Sequence, residues 1–557
     1  MADTEAPTDD ARAKGAPVKN VLIVGGGTAG WLAAAYLART LSIGQPGSAR
    51  ITLVESADIG ILGVGEGTFP NIQRTLRRIG IDESVFMRES EATFKQGIRF
   101  DHWQHAPGPS ATGAGQRDHY FHPFQSAIGP QDLDLIPYWL LGAAGDGVPL
   151  DTALTMQKRV ADAALAPKRS GDADYAAPLN YAYHFDAVKF ARLLRVVATD
   201  LGVRHVIDTV DAVPLDETGA VAGVVTRENG TLTADLYIDC TGFRAQLIGQ
   251  ALKSPYQSCR KWLFCDRAVA LQVPYDQPDA PIPSYTISTA HEAGWTWDIG
   301  LETRRGIGHV YSSDHTDDAR AEQVLRDYIG PAAADKTART FRFEAGYRPE
   351  PWVRNCVAIG LSSGFFEPLE STGIVLIEVA SVLLTSLFPW AGDMATAARQ
   401  FNRIMRQRYE RALDFLKLHY CLTRRTDTAF WRDNADAATV PDTLHDLLDR
   451  WRHRPPEGLD FDLNLDTFSE ASWQFVLYGM GYHTDLSAQA GAFRHMDEAR
   501  QQFAAIRAGT EQALAALPRH RDLITQIYRH GLRPRTPFGG APSGRANLSS
   551  GMAGLSR

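Results

Sequence analysis

The stretch that most limits what this chain can fold into runs from Asn20 to Leu41. An apolar run, Val21-Leu22-Ile23-Val24, enters the glycines Gly25 to Gly27 and leaves as WLAAAYLARTL, with apolar residues at helical spacing. Gly25, Gly27 and Gly30 form GxGxxG at a strand-to-helix turn, where missing side chains let backbone amides approach a pyrophosphate. A second strand, ITLVES, ends at Glu55, 25 residues beyond Gly30, suited to the ribose hydroxyls of an adenosine without a 2′-phosphate. The βαβ unit predicts a dinucleotide site built from Gly25, Gly27, Thr28, Ala29, Gly30 and Glu55, with FAD or NAD as its ligand.

Two later segments favour FAD. YIDCTGFRAQLIG, with Asp239, Thr241 and Gly242, resembles the second strand-and-glycine contact of many FAD enzymes, and Val206 in VRHVIDTV can reach adenine through its backbone. Each also reads as a core strand with a turn. No second complete GxGxxG follows a strand, so NADH has no separate site and reduced flavin must come from a separate reductase.

Strands and helices alternate through the first two thirds, and from about Ala397 the pattern is helical, as in QFNRIMRQRYERALDFLKLHYCL and ARQQFAAIRAGTEQALAAL. The expected organisation is a polar tail at 1–18, an α/β core at 19–396, a helical region at 397–531 packed on the core, and a Gly/Ser/Pro-rich tail at 532–557. Both tails read as mobile. The 57 Lys and Arg against 65 Asp and Glu give a net charge of −8 and no basic stripe, which argues against nucleic acid. Five cysteines without a CxxC pair suggest neither a disulfide framework nor a metal centre, and fit a reducing cytoplasm. No secretory signal or membrane span is read; Gly373 to Phe388 is apolar but short and contains Glu378, so it reads as a buried helix. A homodimer is compatible with all of this.

Several spaced motifs go further: VGGGTAGW, GVGEGTFPNI, FKQGIRF, YFHPF, GWTWDIG and GFFEPLESTGI. In this order they resemble the flavin-dependent halogenases typified by tryptophan halogenases. The resemblance implies a Rossmann-type, FAD-binding α/β core of the flavin monooxygenase kind, with mixed sheets and a mostly helical C-terminal region. It also implies that reduced FAD (FADH2) and oxygen convert chloride or bromide to hypohalous acid, which halogenates an electron-rich aromatic.

In FKQGIRF the apolar Phe94, Ile98 and Phe100 alternate with Lys95 and Arg99, so on a single strand the two cations share a face. Lysine read alone is a surface residue; the resemblance makes Lys95 catalytic. It can donate a hydrogen bond to hypohalous acid or form a haloamine, two routes the sequence leaves open. Phe366 to Ile374 reads as a capped helix start. The resemblance places a halide at the backbone of Thr372 and Gly373, makes Glu370 the active-site carboxylate turned to the substrate, and adds Leu361 to the cofactor contacts. Glu367, three residues earlier, serves as the nearby control for Glu370.

Trp295 and Trp297, at period 2, fill one face of a strand. The resemblance assigns them to a WxWxIP signature that keeps substrate away from the flavin, with Gly300 replacing the usual proline. His122 and Phe124 match positions lining the aromatic pocket, although either also reads as core. Trp473 matches a further pocket position, and Gly63 and Gly65 match a mobile flavin loop. The WQFVLYGMGYH segment lacks the paired aromatics that hold free tryptophan in the best-known members, so indole, a substituted indole or peptide-borne tryptophan stand beside tryptophan as substrates. A flavin-dependent aromatic hydroxylase and a non-catalytic flavin-binding protein are the alternatives.

Overall fold

The computed structural model describes residues 17–58, 65–108, 119–125, 133–462 and 466–533. The strand Asn20–Val24 lies inside a six-stranded sheet ordered Trp352–Val353, Cys356–Ala358, Leu236–Asp239, Asn20–Val24, Arg50–Glu55, Arg204–Ile207. All neighbours are parallel except the edge pair Trp352–Val353 and Cys356–Ala358. Parallel neighbours require crossovers, and the helix Thr28–Thr40 is the first of them, buried from Trp31 to Ala38. The carboxyl ends of the parallel strands therefore share one edge, where open α/β sheets bind their ligands.

A second, seven-stranded sheet is mainly antiparallel and runs Arg339–Arg342, Arg267–Pro274, Arg304–Tyr311, Gly294–Gly300, Thr286–Ala290, Gly97–Asp101, His119–Pro123. In a third sheet of three strands, Ala182–Asp186 pairs on one side with Gly65–Gly67 and on the other with Thr93–Lys95. The result is the mixed α/β architecture expected of the motifs. Beyond Ser386 every element among the described residues is helical, led by the 28-residue helix Met394–Cys421, whose Phe401, Phe415 and Leu416 are buried. No described helix is long and apolar enough to cross a membrane.

Three details differ from the sequence reading. Lys95 and Arg99 do not share a strand face, because the chain breaks at Gln96 and passes from one sheet into another. Gln96 is fixed there by its amide bond to the Ser284 carbonyl at 2.6 Å. Arg99 ends up half-exposed and paired with Asp101 at 2.8 Å, whereas Lys95 is fully buried. Val18, which the sequence reading placed in the N-terminal tail, is packed into the core at 2% exposure. At the other end Leu532 packs against the core and the Arg533 carbonyl accepts from the Asp174 amide at 3.0 Å, so the chain is held two residues into the expected tail.

Candidate active site

At the cofactor edge, Gly25 has φ +110°, and a Cβ there would stand 2.3 Å from the Cys240 carbonyl oxygen. A Cβ on Gly30 would stand 1.9 Å from the Gly25 carbonyl. Both positions therefore require glycine, whereas Gly27 faces open space. Gly27 caps the helix Thr28–Thr40 without a side-chain hydrogen bond, and no acidic residue lies in the first turn, which leaves its amides and positive dipole end available to an anion. Ala29 is approached by Gly360, whose φ is +79°, and this brings the turn Gly360–Leu361–Ser362 onto the same helix start. Glu55 lies at the end of its strand and accepts from or shares a proton with His205 Nε2 at 2.8 Å. Val206 is buried beside it, paired with Val54.

These features fit the adenosine diphosphate half of FAD. Asp239 is placed differently from the sequence reading: its carboxylate accepts from Thr241, Leu247 and Ile248 amides, so its side chain orders the turn around Gly242 instead of facing the open edge. Gly242 itself, at φ +67°, has open space around it. Gly63 lies outside the described residues. Gly65 opens the strand that continues to Gly67 and, with Trp297, Gly306 and Ile307, lines a cavity of about 200 Å³.

A few residues further into the fold stands the helix Thr372–Ser386. Its N-cap, Ser371, is held in the left-handed region at φ 56°, with no side-chain cap bond and no acidic first turn. The Thr372 hydroxyl is buried without a hydrogen-bond partner, and Gly373 is open to space. A helix start with free amides and an unpartnered hydroxyl is suited to a small anion.

Lys95 Nζ donates to Ser371 Oγ at 2.8 Å and lies 5.2 Å from the Phe124 ring centre and 5.9 Å from that of Phe69. Burial brings its ammonium down to about 7, against the Glu370 carboxylate, which acts to raise it. Glu370 is also fully buried. Its two oxygens lie 2.9 and 3.0 Å from His122 Nδ1, and Oε1 is 3.1 Å from His419 Nε2. Burial alone would raise its pKa, but the two imidazoles outweigh it and hold the carboxyl at about 2. Lys95 and Glu370 thus approach one compartment from opposite chain segments.

The compartment is aromatic. Phe69 meets Phe124 and Phe468, each at 5.5 Å between ring centres; Phe468 stacks on Phe415 at 3.8 Å; and Phe415 meets His122 and Trp473 at 5.9 and 4.9 Å. Such rings form a cage for a flat, electron-rich ligand. Trp295 and Trp297 share a strand face, as their spacing requires, with ring centres 6.4 Å apart. Trp295 Nε1 donates to Glu367 Oε2 at 3.3 Å, which ties this strand to the loop ahead of the helix Thr372–Ser386. Glu367 faces Trp295, and Glu370 faces the two histidines.

Sequence reasoning did not single out His419, Phe69, Phe415, Phe468 or Ser371. Phe69 and Ser371 lie inside recognised motifs, but the other three sit in helical or connecting sequence where they look like ordinary core residues.

A glycine-rich dinucleotide edge, together with a buried lysine and a buried carboxylate among aromatic rings, is the arrangement of a flavin-dependent enzyme. The chain belongs to the tryptophan halogenase family, whose profile matches residues 20–495, and it is a flavin-dependent halogenase. Tryptophan 6-halogenase SttH of Streptomyces toxytricini is 38% identical over 520 residues, spanning 89% of this chain and 96% of the relative. Tryptophan 7-halogenase RebH of Lentzea aerocolonigenes is 35% identical over 541 residues, spanning 92% and 99%. The crystal structure of the tryptophan halogenase from Shewanella frigidimarina NCIMB 400 aligns with a TM-score of 0.88 at 39% identity, covering 93% of this chain and 99% of that one.

Proposed function

We propose that this halogenase places chlorine or bromine on the indole ring of tryptophan or a closely related indole, with Lys95 and Glu370 as the catalytic pair. The observation that carries the reading is the convergence of a buried lysine and a buried carboxylate on one aromatic cage. The relatives named for tryptophan halogenation support the choice of ring.

Reduced FAD, delivered by a separate flavin reductase, supplies the electrons with which oxygen oxidises halide to hypohalous acid. Gly25, Gly27, Thr28, Ala29 and Gly30 would hold its pyrophosphate, Glu55 its ribose and Val206 its adenine, with the segments at Gly65, Gly242 and Leu361 beside it. Thr372 and Gly373 hold the halide. Because Lys95 sits near pKa 7, ammonium and amine coexist at neutral pH. The ammonium hydrogen-bonds to hypohalous acid, whereas the amine attacks its halogen to form a haloamine, breaking the halogen–oxygen bond as the displaced hydroxide takes the amine proton and leaves as water. In the first route Lys95 gives a proton to the departing hydroxide, which leaves as water while the carbon–halogen bond forms. Glu370, kept ionised, takes the proton lost from the same ring carbon, and the electrons of that C–H bond restore aromaticity. His122, Phe124 and Trp473 wall the ring, and Trp295 and Trp297 close the cofactor side.

The test supplies enzyme with FAD, a flavin reductase, NADH, oxygen, and chloride or bromide, and offers tryptophan, indole or a tryptophan-containing peptide. Mass spectra should show a halogen isotope pattern that depends on the halide added. A hydroxylated product formed equally without halide would establish the hydroxylase alternative instead.

A further inference from the structure

Glu370 is a carboxylate in a place where a charge is expensive. Burial raises its pKa, yet it is held ionised, and His122 is only one of the groups responsible. The second, His419, comes from the long helix Met394–Cys421 and is completely buried. Its Nε2 stands 3.1 Å from Glu370 Oε1, away from the line of a good hydrogen bond, and has no hydrogen-bond partner of its own. Its Nδ1 lies 2.6 Å from the Tyr120 hydroxyl. Burial and the Glu370 charge both keep that phenol protonated. An acceptor-only carboxylate facing Nε2 favours the tautomer with its N–H there, and in that tautomer the phenol hydroxyl donates to Nδ1 of a neutral imidazole.

Phe100 fixes this pair in place. It stacks on Tyr120 at 4.7 Å with an interplanar angle of 7°, and its ring centre is also 4.7 Å from that of His419. The groups facing Glu370 are thus His122 from the strand His119–Pro123, His419 from the long helix with Tyr120 behind it, and Lys95 from the strand Thr93–Lys95.

We propose that His419, with its tautomer set by Tyr120, is a positioning residue for Glu370: it holds the carboxylate ionised and turned toward the ring whose proton it removes. The inference rests on the proposed role of Glu370 in ring halogenation. An N–H on the His419 side lets Glu370 turn away from His122 as it takes the proton without losing its charge stabilisation, and the 3.1 Å approach leaves only a small rotation to align that bond.

The test compares Tyr120→Phe, His419→Gln and His419→Leu in the full-length enzyme with FAD, reductase, oxygen, bromide and tryptophan. Halogenated product per reduced flavin consumed, kcat, KM for tryptophan and the pH dependence of kcat are all measured. Tyr120→Phe frees the imidazole to reverse its tautomer, and His419→Leu removes the N–H. Both should lower kcat about tenfold or more with little change in KM, and both should move the acid limb of the profile to higher pH. His419→Gln restores an N–H on that side and should recover most of the rate and the original limb. A purely structural role would lower the melting temperature while leaving the limb in place. That result, or wild-type kcat in His419→Leu, overturns the proposal. If wild type halogenates and Glu370→Gln does not, wild-type behaviour of the His419 variants refutes this inference alone; if wild type forms no halogenated product, the reading of the whole site fails with it.

Discussion

Lys95 Nζ donates to Ser371 Oγ, and Ser371 is the left-handed N-cap of the helix on which Gly373 faces open space. The lysine is therefore tied, at 2.8 Å, to the element assigned to the halide. Removing its amine should end ring halogenation while leaving reduced-flavin oxidation in place. Lys95→Ala should give no halogenated product in a reaction where flavin consumption continues, as followed by mass spectrometry and flavin absorbance together.

The same lysine should weaken the fold. Its pKa falls from the usual 10.5 to about 7 on burial, so between those values the unfolded chain binds a proton that the folded chain does not. Stability is lost as pH falls from about 10 to about 7. Lys95→Met should then melt higher than wild type at pH 7, by about 1 kcal/mol or more, and the gain should shrink toward pH 10. Thermal melts across that range read the effect directly.

The halide assignment makes a separable prediction. Thr372→Val keeps the side-chain shape but deletes a buried hydroxyl that has no hydrogen-bond partner. The half-saturating halide concentration should rise about tenfold, with KM for the aromatic unchanged. Equal effects on both would mean that Thr372 does not face the halide.

Gly300, where the family signature usually has proline, lies at the end of its strand against Ile282 and Pro283. A Cβ there would stand 2.8 Å from Ile282 Cγ2 and 2.8 Å from the Tyr275 hydroxyl. The Gly300 carbonyl also accepts from the Thr93 hydroxyl at 2.6 Å, two residues from Lys95. Gly300→Pro should therefore destabilise by about 1–3 kcal/mol and reduce product formed per flavin oxidised. Wild-type values for both quantities would show that the strand end accommodates the ring.

His520 offers a distant control on Lys95. Its Nε2 accepts from the Phe94 amide at 3.1 Å, while Nδ1 donates to the Ile282 carbonyl at 2.9 Å. Burial lowers its pKa to about 4 and keeps it neutral. His520→Leu should cost about 1–3 kcal/mol of stability, because it leaves a buried amide unpaired. His520→Asn, which retains a donor and an acceptor, should cost less. Urea melts of the two variants check this order.

How much of this was legible in the sequence varied with the range of the interaction. Gly25 and Gly30 announce themselves because the clashes that exclude side chains there, with Cys240 and with Gly25, belong to a local turn. Lys95, Glu370, His122 and Phe124 could be named only through recurring motifs. Nothing in the spacing says that residues 248 apart, such as His122 and Glu370, will meet. The break at Gln96 was hidden because an alternating pattern looks the same on one strand as on two consecutive strands. His419 and Phe415 were invisible for a related reason: a long amphipathic helix presents them as ordinary members of its buried face.

The His520 contact also orders events in time. The strand that carries Lys95 is made early, but the imidazole that caps its edge comes from the helix His520–His530, 426 residues after Phe94. A ribosome builds the oxidant-handling lysine long before it builds the wedge that steadies it. The edge of the strand that carries Lys95 therefore waits for its His520 partner until nearly all of the chain has been made.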